Sequence, residues 1–196
     1  MSTIYVIAEG PTDVELLRLL VLPELVGRVR IYSAGGKSSI PSYARSVLDL
    51  RQRLVAVVMD ADSTQSEAIL SQKREVEELL RMQSLTIPFT VVMAVPSIES
   101  VLFAAPGLLE RVYDKPLSSD LLDRAKQDPK RALYELEQGP GVGSANHRIE
   151  LCATCAVEEC IKQADAGDIT EMRKHPVARE LNDFLARVTA DQMQPA

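Results

Sequence analysis

Apolar residues along this chain follow two rhythms, and the rhythm changes near residue 105. Before that point, short apolar runs alternate with longer stretches of helical period. The runs are Ile4-Tyr5-Val6-Ile7-Ala8, Leu54-Val55-Ala56-Val57-Val58-Met59 and Phe89-Thr90-Val91-Val92-Met93-Ala94-Val95, with a shorter one over Val29–Ser33. The three long runs are nearly continuous and rich in β-branched residues. Strands buried on both faces have this composition, so the pattern predicts a parallel sheet covered by helices. The helical stretches run from Asp13 to about Leu22, where Pro23 interrupts, and from about Ser66 to Gln83. A third places Ile40, Tyr43, Ala44, Val47 and Leu48 on one face. Strand and helix alternate four times, which predicts an α/β fold with a four-stranded parallel sheet and helices on both faces.

After residue 105 the strand signals stop. Helix-like stretches follow at 106–113, 117–126, 129–138, 147–166 and 176–190, with a loop or hinge at Gly139-Pro140-Gly141-Val142-Gly143 and a frayed tail from about Ala190. The expected division is an α/β domain over 1–105 and an all-helical extension over 106–196, packed on or beside it.

Composition narrows the function classes. At 196 residues and 46% apolar content the chain has ample core for one domain with an appendage. No apolar run approaches the roughly 18 residues of a membrane span. Met-Ser-Thr-Ile-Tyr is not the start of a signal peptide, so a cytoplasmic protein without membrane contact is expected. A formal charge of −6 opposes strong unaided binding to nucleic acid. Basic clusters at Lys73-Arg74, Lys130-Arg131 and Arg173-Lys174-His175 permit such a face, although runs of this kind are mostly solvated surface.

The candidate chemistry sits where apolar runs end. Glu9 closes the first run and Asp13 follows four residues later. Asp60 and Asp62 close the third, and Glu99 follows the fourth in Pro96-Ser97-Ile98-Glu99. Ligands bind outside the carboxyl ends of strands in open α/β sheets. Separate strands would deliver these carboxylates to one rim, where a shared hard cation relieves their repulsion. Asp60-Ala61-Asp62 in an extended segment would project two carboxylates to one side. Asp13 and Glu99 also have plain readings as acids in the first turn of a helix. Gly35-Gly36-Lys37 looks like the tail of a phosphate loop, but Ile31 stands where that loop requires glycine, which excludes it. Its amides remain candidates for holding an anion, with Lys37 adding charge. Cys152, Cys155 and Cys160 would need a fourth ligand such as His147 to bind zinc. Their helical spacing with Ile149, Ala153 and Ala156 favours packing cysteines.

Taken together, these motifs resemble the Toprim family, shared by primases, topoisomerases, small maturation ribonucleases and the overcoming-lysogenization-defect (OLD) nucleases. The family pattern, a Glu after the first strand and Asp-x-Asp after the third, is matched by Glu9-Gly10 and Asp60-Ala61-Asp62. Glu9-Gly10-Pro11-Thr12-Asp13, Gly35-Gly36-Lys37 and Pro96-Ser97-Ile98-Glu99 resemble the OLD-type branch more closely. The likeness covers about residues 3–105; Lys174-His175-Pro176 matches a late Lys-His-Pro segment of small OLD-like proteins. OLD nucleases usually carry an ATPase domain, and this stretch of sequence has none.

The resemblance implies phosphodiester hydrolysis of DNA or RNA assisted by one or two Mg²⁺ or Mn²⁺ ions. Glu9, Asp60 and Asp62 would hold one ion, and Asp13 and Glu99 would help hold a second. Glu9 is alternatively the general base. Gly35, Gly36 and Lys37 would bind phosphate, and Lys37 or Lys174 would offset charge in the transition state. A separately encoded ATPase partner, a phage-defence role and an oligomeric assembly are further expectations. Two other readings compete. One is a non-catalytic regulatory or toxin subunit. The other is a haloacid-dehalogenase-type phosphatase, which Asp60-Ala61-Asp62-Ser63-Thr64 fits locally but whose motif normally opens the fold.

Overall fold

A computed structural model of the chain describes residues 3–82, 86–139 and 146–192. Four parallel strands form one sheet in the order β2-β1-β3-β4. They are β1 (Ile4–Ala8), β2 (Val29–Ser33), β3 (Val55–Asp60) and β4 (Phe89–Ala94). Every β3 residue is buried, as expected of a central strand covered on both faces. β2 lies at an open edge and alternates between buried and exposed positions. The chain passes from β1 outward to β2, then returns to β3 on the other side of β1. The boundary between β1 and β3 is therefore the topological switch point, where such sheets bind ligands.

Two apolar cores flank the sheet. Helices α3 (Ile40–Arg51) and α4 (Ser66–Arg81) cover one face and pack Ile40, Val47, Leu48, Val76 and Leu80 against Ile7, Val57 and Val91. On the other face lie α1 (Pro11–Leu20) and most of the helical part: α5 (Pro106–Tyr113), α6 (Ser119–Ala125), α7 (Pro129–Gln138), α8 (Asn146–Gln163), α9 (Ala166–Met172) and α10 (Pro176–Asp191). A short helix, α2 (Pro23–Val26), precedes β2, and a 3-10 segment spans Ile98–Ala104. Leu102, Leu133, Leu181 and Leu185 share one core with Val6, Leu16 and Val58, so apolar packing is continuous across residue 105. Full burial of each such side chain stabilises by about 1.5–3 kcal/mol.

Polar groups also tie the helical part to the sheet domain. Asn182 on α10 accepts from Leu22 N–H at 3.0 Å and donates to Leu20 C=O at 2.9 Å. Arg173 donates to the carbonyls of Leu19 and Val21. These bonds satisfy the backbone groups that the end of α1 leaves without helical partners.

The elements depart from the sequence pattern in a few places. Pro11 opens α1 two residues before Asp13, because proline has no N–H to lose in a first turn. Pro23 likewise begins α2 rather than merely ending α1. The helix expected over 147–166 stops at Gln163, and α9 begins separately with Asp165 as its N-cap. α10 spans Pro176–Asp191, as the pattern over 176–190 predicts. The Gly/Pro-rich loop predicted at 139–143 lies outside the described residues beyond Gly139, as do the last four residues. Cys152 and Cys160 are buried on α8, with Cys155 exposed; the side chain of His147 lies outside the described part. Among the described residues, no helix is long and apolar enough to cross a membrane.

Candidate functional site

The carboxyl ends of β1, β3 and β4 bring Glu9, Asp60 and Glu99 to one rim, and the first turn of α1 adds Asp13. Glu9 follows β1 directly, and its Oε1 accepts from Asp60 N–H at 2.8 Å, which bridges the switch point. Asp60 ends β3, and its Oδ1 accepts from Ile98 N–H at 2.9 Å. Glu99, buried in the first turn of the 3-10 segment, accepts from Ser97 Oγ–H at 2.5 Å. Asp13 folds back so that its Oδ2 accepts from Gly10 N–H at 3.0 Å. The plain reading of Asp13 as a helix-start carboxylate thus describes its hydrogen bonding, and its charge still faces the rim.

Burial of these acids has an electrostatic cost. Desolvation raises the pKa of Glu9, Asp13, Asp60 and Glu99 alike. Asp60 is pushed up to about 8, first by burial and then by the negative charge of Glu99. Buried carboxylates raised mainly by desolvation, with like charges adding to the shift, mark a candidate site for a positive charge.

The described structure supplies part of that charge from within. Lys130, in the first turn of α7, places Nζ 3.5 Å from Asp60 Oδ2, 3.8 Å from Glu99 Oε1 and 3.2 Å from Glu150 Oε2 on α8. In the sequence, Lys130-Arg131 reads as a solvated basic run. One signal was available: Asp128 caps α7 and Pro129 opens it, so Lys130 stands near the positive end of the helix dipole, where a cation is disfavoured unless acids compensate.

Several expected roles change. Asp60 and Asp62 do not project together. Asp62 takes a left-handed backbone conformation (φ 50°) that breaks the period-two alternation; its side chain is exposed and bonds Lys37 Nζ at 2.5 Å. Lys37 also donates to Asp60 C=O at 2.6 Å, so it locks the end of β3. Gly35 and Gly36, both at positive φ, spend their amides on Glu9 C=O at 3.1 and 2.9 Å. They therefore present no free pair of N–H groups to a phosphate. Lys174 is exposed and pairs with Glu171 at 2.6 Å; the lysine that faces Asp60 and Glu99 is Lys130. His175 beside Lys174 does reach inward, with Nε2 3.3 Å from Ser100 Oγ, next in chain to Glu99. The two residues line a cleft of about 500 Å³ with Val95, Phe103 and Leu122.

The donor set fits a hard divalent ion in kind, since it is all carboxylate oxygen, deprived of water and short of positive charge. It is not a closed cage: among the described residues no three acidic, histidine or cysteine side chains converge tightly enough to hold a metal by themselves. Mg²⁺ usually binds through one or two carboxylates and keeps several waters, so an open rim suits it.

The fold has solved counterparts. The C-terminal region of the Burkholderia pseudomallei OLD protein superposes with a TM-score of 0.58 at 15% identity, covering 96% of this chain and 98% of that one. This chain shares its fold. The four-stranded parallel sheet with its helical part is consistent with a Toprim-like fold, and the likeness spans nearly the whole of both chains. The corresponding region of the Xanthomonas campestris pv. campestris OLD protein aligns over 97% of both chains at 12% identity, with a TM-score of 0.44. No protein-family model matches the chain, and no curated protein matches it.

Proposed function

We propose that this protein is a metal-dependent nuclease that hydrolyses phosphodiester bonds in DNA or RNA. The observation that carries the reading is the meeting of Glu9, Asp60 and Glu99 at one rim, with the ammonium of Lys130 against Asp60 and Glu99, on an OLD-like fold.

Glu9, Asp60 and Glu99, supported by Asp13, would hold Mg²⁺ or Mn²⁺. Such an ion stabilises charge on the phosphoryl oxygens and activates water near neutral pH. The chain's own groups do the rest. As the alternative to ligating the ion, Glu9, oriented by Asp60 N–H, would take the proton of a water that attacks phosphorus while the P–O bond to the leaving oxygen breaks and that oxygen takes a proton from solvent. Lys130 moves from its carboxylate partners toward the phosphate and offsets charge in the transition state. Ser97 holds the Glu99 carboxylate in place. Lys37 keeps the Asp60–Asp62 turn closed, a positioning role rather than contact with substrate.

A second reading has its own observation. With Lys130 seated against Asp60 and Glu99, the rim is already partly neutralised, as it would be in a subunit that becomes competent only within a larger assembly. A separately encoded ATPase is the partner this reading names. Incubation with plasmid DNA and structured RNA in Mg²⁺ or Mn²⁺ tests both. Cleavage lost in Glu9→Ala and Asp60→Ala supports the nuclease. Cleavage only after addition of an ATPase partner supports the subunit. Hydrolysis of small phosphate esters alone would overturn both.

A further inference from the structure

The chain carries −6 overall, yet its charge is not evenly spread. Between residues 28 and 53 stand Arg28, Arg30, Lys37, Arg45, Arg51 and Arg53 against the single acid Asp49. That segment is β2, the glycine loop and α3, so positive charge is concentrated on the edge strand and on the helix that packs beside it over β1 and β3. Arg30, Arg45, Arg51 and Arg53 are all exposed there.

The same edge gathers aromatic rings in a chain that has few. Three of its five tyrosines meet there. The Tyr5 and Tyr32 rings stack at 5.7 Å with 15° between their planes, and Tyr43 of α3 leans on Tyr32 at 6.3 Å. Arg51 lies 5.6 Å over the Tyr5 ring and donates to its hydroxyl at 3.3 Å. The cause is topological. α3 packs mainly on β1 and β3 and reaches the same face of edge strand β2 with Tyr43, leaving that face only partly covered. Strand alternation sends Val29, Ile31 and Ser33 to the opposite face and leaves Arg30 and Tyr32 on this partly covered one. Tyr32 is consequently 37% exposed.

We infer that this face binds an unpaired strand of nucleic acid, with bases stacking on the Tyr32–Tyr43 surface and phosphates meeting Arg30, Arg45 and Arg51. Sequence-tolerant stacking on aromatic rings within a basic track is the general way proteins hold single strands. A paired duplex hides its base faces and offers no such contact. The direction of β2 supports the assignment. At roughly 3.3 Å per residue its five residues span ~16 Å, room for a few nucleotides. The strand runs toward Ser33, whose hydroxyl donates to Glu9 C=O, so the track ends at the carboxylate rim. The inference builds on the nuclease reading by giving it a single-stranded substrate segment, but its test does not need cleavage.

Fluorescence anisotropy with labelled 15-nucleotide oligo(dT), oligo(U) and a 15-base-pair duplex, all in EDTA, reads binding alone. The single strands are expected to bind more tightly than the duplex. Tyr32→Ala should weaken them about tenfold and Tyr32→Phe should leave them within about twofold. Arg30→Gln with Arg51→Gln should flatten the dependence of log Kd on log salt by about 1.4 for two lost contacts. Because Tyr32 and both arginines are exposed, unchanged thermal melts would certify the fold of each variant. Duplex binding as tight as single-strand binding, or indifference to Tyr32→Ala, overturns the inference. Tyr32-dependent binding without cleavage in Mg²⁺ would sink the nuclease reading and leave this surface standing. Cleavage with no Tyr32-dependent binding would do the reverse.

Discussion

Lys130 of α7 lies 3.5 Å from Asp60 at the end of β3, so a cation from the helical part of the chain answers a carboxylate of the sheet domain. The ammonium offsets part of the negative charge that Asp60 and Glu99 bring to the rim. It also joins the two halves of the chain at the point where the proposed chemistry occurs.

Removing that cation should leave Asp60 and Glu99 facing each other uncompensated. Lys130→Met is expected to lower stability of the metal-free protein by about 2–4 kcal/mol, below the full penalty of a deeply buried pair because the lysine is partly exposed. Mg²⁺ should raise the melting temperature of the variant more than that of the parent. Calorimetry with and without Mg²⁺ measures this; an equal metal response in both proteins would remove Lys130 from the site.

The raised pKa values of Asp60 and Glu99 set the sign of a pH effect. An acid whose pKa is higher folded than unfolded binds more protons in the folded state, so stability falls as pH rises between the two values. For Asp60 that window runs from the ordinary 3.8 to about 8. Metal-free protein should therefore be more stable near pH 5 than near pH 8.5, by on the order of a few kcal/mol, and melt at higher temperature there. Asp60→Asn should flatten the profile. A profile rising from pH 5 to 8.5 in EDTA would contradict this electrostatic account.

Glu9 has a structural bond as well as a proposed proton-transfer role, and two substitutions separate them. Glu9→Gln retains an acceptor for Asp60 N–H, so its melting temperature should stay close to the parent's. Its nuclease rate should still fall by about 10²–10⁴, the usual contribution of a positioned general base. Glu9→Ala should lose the rate and also stability, by about 1–3 kcal/mol for the orphaned amide. Equal rates for Glu9→Gln and the parent would assign Glu9 a purely structural part.

Asn182 tests the union of the helical part with α1. Asn182→Leu removes partners from both Leu22 N–H and Leu20 C=O. Leaving such groups buried and unpaired costs about 1–3 kcal/mol each, so a loss of about 2–6 kcal/mol is expected in urea unfolding. A loss under about 0.5 kcal/mol would mean that solvent already reaches those groups.

Much of the α/β architecture was legible in the chain. The apolar runs before Glu9, Asp60 and Glu99 are strong local signals because β1, β3 and β4 each bury most of their length, and such burial admits little besides Val, Ile, Ala and Met. Edge strand β2 was legible too, though its alternation concealed which side chains would stand uncovered. Helices α5, α6, α7 and α10 were visible from their apolar period, while the break between α8 and α9 depended on Asp165 as a cap.

Local pattern determined where acids follow strands, since a strand's carboxyl end is set by neighbours in sequence. Only the folded chain decided which of those acids share a rim and what answers their charge. A left-handed turn at Asp62 sent that carboxylate out to Lys37, and the amides of Gly35 and Gly36 went to Glu9 C=O. Lys130 entered from a distant helix. Electrostatic partnership acts through space at a few ångströms, and separation along the chain carries no trace of it.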